Sequence, residues 1–302
     1  YLIREGEYIF MEEKNYREIG CRDAGFPDKL LQACPRPDRL YIKGGLPELG
    51  RPSVAIVGAR MCSAYGRNQA RRFGAVLASH GIQIISGLAR GIDAWAHEGA
   101  LSVSGGRTFG VLGCGIDKVY PRQNASLYRR VEAAGGLISE YPPGYAPLPR
   151  NFPLRNRIIS ALSDLVLVIE AREKSGSLIT VDCALEQGRA VYALPGRVDE
   201  PLSAGCNRLI SQGAGPAYSP EYLLEELKIL CGSIPSEKEK VNFGLATDLE
   251  LVYSCLGFQP RGLQSIQEET GVPVLKLKEM LLELELDGWI QELMKDHYVK
   301  LR

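Results

Sequence analysis

The sequence predicts an α/β fold, in which a parallel sheet carries helices on both faces and a small winged-helix domain follows. From residue 53 onward, apolar runs, small-residue loops and amphipathic stretches alternate, as they do in parallel α/β proteins. The apolar runs, such as "LVLVIEA", are nearly continuous and rich in β-branched residues, which fits strands buried on both faces. Beyond residue 247 the alternation is replaced by three helices and a hairpin.

The individual strands and helices of the sheet follow from this alternation. We predict strands at residues 53–57, 82–86, 107–113, 136–140, 164–171 and 190–194. Helices fill the intervals between them. In residues 65–80, Ala70, Phe73 and Leu77 are spaced as on one face of a helix, and residues 177–188 end in a glycine suited to a C-cap.

Other segments flank the sheet. Residues 1–45 are rich in Tyr, Glu and Arg with few apolar repeats, so we predict an irregular or partly helical N-terminal segment before a sheet domain at 46–232. Residues 233–247 are polar and aperiodic, which predicts a linker. The remaining residues, 248–302, have the outline of a winged-helix domain. Its elements are expected near residues 248–256, 262–270 and 273–288, followed by the hairpin "WIQEL…HYVKL".

Composition argues against several classes of protein. Hydrophobic residues make up 45% of the chain and charged residues 24%, which is ordinary for a globular protein, and no apolar run is long enough for a transmembrane span. The eight cysteines lie 13 or more residues apart and there are only three histidines, so no spacing predicts a zinc site. We expect a cytoplasmic protein with reduced thiols and with no metal, cofactor or membrane contact.

Charge is distributed unevenly although the chain as a whole is neutral. Lys and Arg outnumber Asp and Glu by 19 to 12 in residues 51–220, whereas residues 221–302 have 9 against 15. A ligand senses charge within roughly 10 Å rather than the chain average, so the basic middle segment is the candidate binding region. Seventeen of its nineteen cations are arginine, whose planar fork suits phosphate oxygens and stacks on bases.

Glycine-containing loops follow the predicted strands and therefore lie at one edge of the sheet, where ligands bind if the strand order reverses. Glycine lets backbone amides approach an anion, and a helix start adds partial positive charge. The first loop, "GARMCSAYG" at residues 58–66, matches neither G-x-G-x-x-G nor G-x-x-x-x-G-K-[ST], and the second strand ends in serine rather than in an acid for a ribose hydroxyl. The loops therefore predict binding of a backbone phosphate of a longer molecule.

The stretch "NFPLRNRIIS" at residues 151–160 is the second unusual element. It places Phe152 beside Arg155 and Arg157 at a predicted helix start, and an exposed aromatic next to cations is typical of a single-strand nucleic-acid site. The structural alternative is that Phe152 is a hydrophobic staple and that Arg157 pairs with Asp164 or Glu170.

Each of the other candidates also has a structural alternative. Arg60 directly follows the first strand's glycine loop and is expected to face a ligand. Ser63 is either a helix cap or a phosphate contact, because both use the same amides. Arg90 either binds the ligand or pairs with Asp93, and His97 is expected to be structural. Ser175 and Ser177, in "SGS", form either a cap or an anion nest.

An enzyme is the rival function. The loops offer acidic residues without a spacing that singles out a catalytic pair, so catalysis is unsupported. A phosphoribohydrolase acting on nucleoside monophosphates would use the same glycine loops, but its P-G-G-x-G-T-x-x-E helix start is replaced here by "EKSGSLITVDCALE". A dehydrogenase is the third and weakest alternative, since the acid that would bind a ribose is missing.

The ordered motifs resemble one known family. Across roughly residues 25–225 the chain is similar to the DprA (Smf) DNA-processing proteins of bacterial natural transformation. The resemblance is carried by "FPDKLLQACPRPDRLYIKG", "VAIVGARMCSAYG", "ISGLARGIDAWAHEGAL", "GVLGCGIDKVYP", "SEYPPGYAPLPRNFPLRNRIISALSDLVLVIEA", "SGSLITVDCALEQGR" and "ALPG…SAGCNRLISQGA".

This resemblance implies an extended Rossmann-like fold and a non-enzymatic recombination mediator. The protein would bind and protect incoming single-stranded DNA, load the recombinase RecA onto it, and form a homodimer through the Rossmann-like domain. Carried over to this sequence, and together with the serines of "SGS", the expected DNA-binding residues are Arg60, Ser63, Gly66, Gly87, Arg90, Arg150, Phe152, Arg155, Asn156, Ser175 and Ser177.

Two departures from the family pattern are visible. Residues 1–24 hold at most a remnant of the N-terminal helical domain that members often have. The C-terminal winged-helix domain resembles that of many members, but its acidic balance disfavours binding to a duplex and favours contact with a protein.

Overall fold

The computed structural model describes residues 15–232, 247–257 and 260–300, so residues 233–246 of the predicted linker lie outside it. The main-sheet strands are β1 (Arg17–Gly20), β2 (Arg39–Gly44), β3 (Ser53–Val57), β4 (Gln83–Ser86), β5 (Thr108–Leu112), β6 (Gly136–Ser139), β7 (Leu165–Val168), β8 (Ala190–Ala193) and β9 (Gly215–Pro216). The helices around them are α1 (Ala64–Ser79), α2 (Ile92–Leu101), α3 (Ala125–Ala134), α4 (Asn151–Leu162), α5 (Leu178–Glu186), α6 (Ala204–Ser211) and α7 (Pro220–Cys231). All six predicted strands form within their predicted ranges.

The nine strands form one sheet in the order β1-β2-β6-β5-β4-β3-β7-β8-β9. Strands β3 to β9 all run parallel to one another. The chain first moves outward from β3 through β4, β5 and β6, then crosses back to the other side of β3 and continues through β7, β8 and β9. The strand order therefore reverses between β3 and β7, where a ligand crevice is expected.

Side-chain alternation along β3 explains how the sheet is covered on both faces. Successive residues of a strand point to opposite faces. Val54 and Ile56 join the cluster packed under α1, α2 and α7, while Ala55 and Val57 join the cluster packed under α4, α5 and α6. All five residues of β3 are buried, which is why the strand reads as one continuous apolar run.

The N-terminal segment is partly helical, as predicted, but it also contains two strands that the prediction lacked. Its described part has a 3-10 helix at Asp28–Gln32. It also contributes β1 and β2, which pair antiparallel with each other, and β2 pairs antiparallel with β6. Leu40 and Ile42 of β2 are buried in the cluster on one face of the sheet, and Tyr41 is buried on the other. The period-two pattern is present in "RLYIKG" but is too short to be distinguished from a loop. Residues 1–14 of the expected helical remnant lie outside the described residues.

The winged-helix prediction is confirmed. Helices α8 (Thr247–Cys255), α9 (Leu263–Thr270) and α10 (Val274–Leu286) pack beside a three-stranded sheet of β10 (Arg261–Gly262), β12 (His297–Lys300) and β11 (Ile290–Met294). A separate hydrophobic core, including Val252, Ile266 and Leu281, holds these elements together.

None of the helices in the described parts of the chain is both long and apolar enough to cross a bilayer.

Candidate nucleic-acid interface

A cavity of about 600 Å³ lies at the carboxyl edge of the main sheet, at the point where the strand order reverses. Its walls come from the loop after β3, the loop after β4, the first turns of α4, and the segment that joins β7 to α5. Lining residues that bear on its chemistry are Arg60, Asp93, Phe152, Asn156, Lys174 and Ser175. The topology thus brings together side chains that are more than 100 positions apart in sequence.

Three exposed cations, Arg60, Arg172 and Lys174, line this cavity. None of them makes an ion pair with a residue that the structure describes. Exposed cations without an ion-pair partner around a concave surface attract anions. Sequence reasoning singled out Arg60 alone, although Arg172 and Lys174 lie in the loop "EAREKSGS" that follows a predicted strand and contains the two candidate serines.

Phe152 is half-buried on helix α4 and lies in contact with cations and with another ring. The guanidinium carbons of Arg60 and Arg155 lie 5.6 Å and 6.0 Å from its ring centroid, within cation–π range. The Tyr120 ring lies 5.3 Å away at a tilt of 34°. The hydrophobic-staple alternative does not account for these contacts with two cations and a second ring. Phe152 instead forms an aromatic surface in the cavity wall, of the kind on which a base stacks.

Arg155 has a different role from the predicted phosphate contact. Only 4% of its surface is exposed. Its Nη1 donates to the carbonyl of Gly87 at 2.9 Å and also to the carbonyl of Val111. Burial lowers the pKa of Arg155, and the nearby carboxylate of Asp93 opposes that shift. Arg155 therefore joins α4 to strand β5 and to the loop that follows β4, and serves as part of the cavity's framework.

Gly87 and Asp93 complete this framework. A side-chain carbon at Gly87 would lie 2.5 Å from the Arg155 guanidinium, so the glycine is required for this packing. The Gly87 amide donates to Asp93 Oδ2 at 3.2 Å. Burial raises the pKa of Asp93, and the Arg155 charge together with the amides of Gly87 and Ala89 favours its ionised form. The suggested ion pair between Arg90 and Asp93 is absent from the described residues, because Asp93 faces Arg155 instead.

Ser63 and Gly66 interact with Glu170. Ser63 Oγ accepts the Gly66 amide at 3.0 Å and caps α1, while the Ser63 hydroxyl and amide donate to the two carboxylate oxygens of Glu170 at 2.5 Å and 2.9 Å. Glu170 is 2% exposed, and a side-chain carbon at Gly66 would lie 2.2 Å from its carboxyl group. The structure favours the capping interpretation of Ser63, and a carboxylate of the protein itself occupies the start of α1.

Asn156, Ser175 and Ser177 do lie together in the cavity wall. Asn156 Oδ1 accepts from Arg155 Nε at 3.3 Å and its Nδ2 donates to the Gly176 carbonyl at 3.4 Å. The two serine hydroxyls are 2.7 Å apart, and the Ser177 side chain does not cap α5. The first turn of α5 thus opens on the cavity with hydroxyls and amides, as the anion-nest alternative requires.

Two predicted cations lie elsewhere. Arg150 is exposed at the start of α4 and is not among the residues that line the cavity. Arg90 is exposed and lines a second depression of about 330 Å³. Arg157 is buried and pairs with Glu140 at 2.7 Å, so neither Asp164 nor Glu170 is its partner.

His97 is structural, as predicted. It is fully buried, and its Nδ1 lies 2.6 Å from Thr108 Oγ1. Burial lowers the pKa of His97 to about 3, so the ring is neutral. Among the described residues, no cluster of His, Cys, Asp and Glu could hold a metal ion.

Comparison with known proteins gives a consistent result over the whole chain. The family model for DNA recombination-mediator protein A matches residues 17–228, and the model for the DprA winged-helix domain matches residues 236–294. Protein Smf of Escherichia coli is 40% identical over 99% of this chain and 81% of its own length. DNA processing protein DprA of Streptococcus pneumoniae is 39% identical over 76% of this chain and 80% of its own length.

Solved structures give the same result. The X-ray structure of DNA processing protein A from Streptococcus pneumoniae matches with a TM-score of 0.65 and 39% identity, covering 70% of this chain and 75% of that one. DNA processing protein A from Helicobacter pylori, whose structure concerns its single-stranded DNA binding mode, matches with a TM-score of 0.63 and 28% identity. That match covers 70% of this chain and 95% of the other.

Proposed function

Because the chain belongs to the DprA/Smf family of DNA recombination-mediator proteins, we propose that it binds single-stranded DNA in the cavity between the carboxyl ends of β3 and β7. The sugar-phosphate chain lies along Arg60, Arg172 and Lys174 and over the open first turn of α5, and a base stacks on Phe152. The protein protects the strand while it is bound, and has a binding rather than a catalytic role.

The observation that carries this proposal is the combination of unpaired cations with an aromatic ring in one cavity. Arg60 lies 5.6 Å from the Phe152 ring centroid and makes no ion pair with any residue in the described ranges. A single-strand site needs both elements, since cations neutralise phosphates and a ring stacks a base with about 1–3 kcal/mol. A duplex would keep its bases paired and stacked on one another, away from such a ring.

Glu170 disfavours dinucleotide binding, and with it the dehydrogenase alternative. In dinucleotide-binding sheets of this kind, the pyrophosphate lies at the start of the first helix. Here the Glu170 carboxylate already accepts from the Ser63 amide and hydroxyl, so a phosphate would be repelled there. A polynucleotide avoids the conflict because its phosphates are spread over the exposed cations of the cavity.

A salt titration with a labelled oligothymidylate tests the proposal. Each phosphate neutralised in a single strand contributes about −0.7 to the slope of log K against log salt, so binding should weaken steeply as salt rises. We expect Arg60→Ala to reduce affinity about fivefold near 0.1 M salt and to flatten the slope by about 0.7. Phe152→Ala should cost about tenfold and leave the slope nearly unchanged.

Matched controls are Arg208→Ala, which removes an exposed arginine of α6 outside the cavity lining, and a mononucleotide competitor. Neither should change oligonucleotide binding. Binding that is absent at low salt, or equal affinity for the mononucleotide and the oligonucleotide, would refute the proposal.

The cellular role follows from family membership rather than from the cavity. We propose that the protein acts in the cytoplasm as a homodimer and loads RecA onto the bound strand during natural transformation. All eight cysteines are unpaired thiols, which agrees with a reducing compartment. Strand exchange by RecA on DNA coated with single-strand binding protein, with and without this chain, measures the loading step. No stimulation would separate DNA binding from RecA loading.

A further inference from the structure

The second depression, about 330 Å³ in volume, lies on the other side of the loop that follows β4. Ala89 lines the main cavity and Arg90 lines the depression, and consecutive Cα atoms lie about 3.8 Å apart. The loop that follows β4 therefore forms part of the wall between the two spaces.

That loop is held firmly in place from both sides. Leu88 has a φ of 54°, in the left-handed region, and its side chain is fully buried. The Asn124 side-chain amide donates to the carbonyls of Leu88 and Ala89 at 2.9 Å and 3.3 Å. At Gly91, with a φ of 76°, a side-chain carbon would lie 2.2 Å from the Ala59 carbonyl oxygen. A non-glycine residue in the left-handed region persists only where its surroundings over-determine it, so the wall is rigid.

The depression carries the chemical groups of a nucleotide site. Trp95 lies in its lining with the guanidinium of Arg67 5.5 Å from its ring centroid. Gln123 and Ser126, both exposed, offer an amide and a hydroxyl to a base edge. Arg90 is exposed and has no carboxylate partner within the described ranges. The one acidic lining residue, Glu98, is already paired with Arg130.

We propose that this depression, centred on Trp95 and Arg90, is a second nucleotide subsite that holds the next part of a single strand leaving the main cavity. Its volume is at the small end of ligand sites, which span about 300–1,000 Å³, and suits one nucleotide unit. Arg90 binds the phosphate as the strand crosses the loop, and the base lies against Trp95. The inference rests on the proposed single-strand binding and extends it to a defined path.

Binding measured at two oligonucleotide lengths tests the subsite. Single-strand sites cover roughly 4–16 nucleotides, so an oligothymidylate of about 4 nucleotides fills the main cavity alone and one of about 12 also reaches the depression. Arg90→Ala should weaken binding of the longer strand about fivefold near 0.1 M salt and leave the shorter unaffected. Trp95→Ala should cost the longer strand about tenfold. Arg208→Ala is the matched control.

Trp95 fluorescence supplies a readout that leaves Trp95 and Arg90 themselves unchanged. The chain has two tryptophans, so in Trp289→Phe protein all tryptophan emission comes from Trp95. The longer oligothymidylate should quench that emission and the shorter should not. Equal quenching by both, quenching by neither, or Arg90→Ala weakening both lengths alike would overturn the second subsite while leaving the first intact. Failure of wild-type protein to bind either length would instead refute the proposed function itself.

Discussion

Helices α1 and α5 both begin at the carboxyl edge of the main sheet, but their first turns face opposite surroundings. The start of α1 is occupied by the buried carboxylate of Glu170, which accepts from the Ser63 hydroxyl and amide. The start of α5 opens on the cavity, with Ser175, Ser177 and the exposed Lys174 around it. A helix start attracts anions in either case, so the difference lies in whether the protein supplies the anion itself.

The contrast concerns two positions of the Rossmann-like arrangement. The start of the first helix, where a dinucleotide-binding protein holds a phosphate, is closed by an internal charge, whereas the start of the helix after β7 is open. Both helix starts lie at the same edge of the sheet, so the fold can present an open helix start at either position. Three substitutions test this difference between the starts of α1 and α5.

The largest effect is expected from Arg155→Ala, which disrupts the framework between the two helix starts. It leaves the carbonyls of Gly87 and Val111 without this donor and removes the charge that favours the ionised form of Asp93. Each buried polar group left without its partner costs about 1–3 kcal/mol. Urea unfolding should show this loss, whereas Arg150→Ala, on the same helix but exposed, should change stability little. A folded variant with normal stability and weak DNA binding would instead make Arg155 a direct phosphate ligand.

Gly66→Ala should come second, because it puts a carbon 2.2 Å from the Glu170 carboxyl group. Overpacking of this kind costs typically about 1–3 kcal/mol. Combining it with Glu170→Ala removes the clash, so the double variant should be less destabilised than the sum of the two single variants. Additive free energies of unfolding in this cycle would mean that Gly66 and Glu170 are not coupled, and that α1 is free to accept another anion.

The smallest effect is expected from Lys174→Ala at the open end of α5. Losing one phosphate contact reduces single-strand affinity about fivefold near 0.1 M salt, while the unfolding midpoint stays unchanged because Lys174 is exposed. Glu173→Ala is the neighbouring control, since Glu173 is exposed but does not line the cavity. A gain in affinity for Glu173→Ala as large as the loss for Lys174→Ala would indicate a general charge effect rather than a phosphate contact at α5.

Sequence reasoning located the sheet well, because each buried parallel strand is a continuous apolar run bounded by small residues. It missed β1 and β2, whose antiparallel pairing gives only a short alternation. For the site, the Phe152 loop and Arg60 could be predicted, since an aromatic or a long cation after a strand has few structural explanations. The role of Arg155 could not be predicted, because an arginine can be either an exposed ligand for phosphate or a buried hydrogen-bond donor. Only the tertiary packing of Gly87 against Arg155 distinguishes the two roles. The division of the chain into domains at residue 46 stays a prediction.

The bonds that fix the cavity walls have a kinetic consequence. Arg155 ties α4 to β5 and to the loop after β4 by hydrogen bonds, and Asn124 donates to the part of that loop that lies between the main cavity and the second depression. A receptor whose walls are already ordered spends little conformational entropy at encounter. Association should therefore be limited by diffusion and by attraction to the arginines, and variants along the cavity should differ mainly in residence time. A strand bound as proposed should then leave one nucleotide at a time, without rearrangement of the cavity walls.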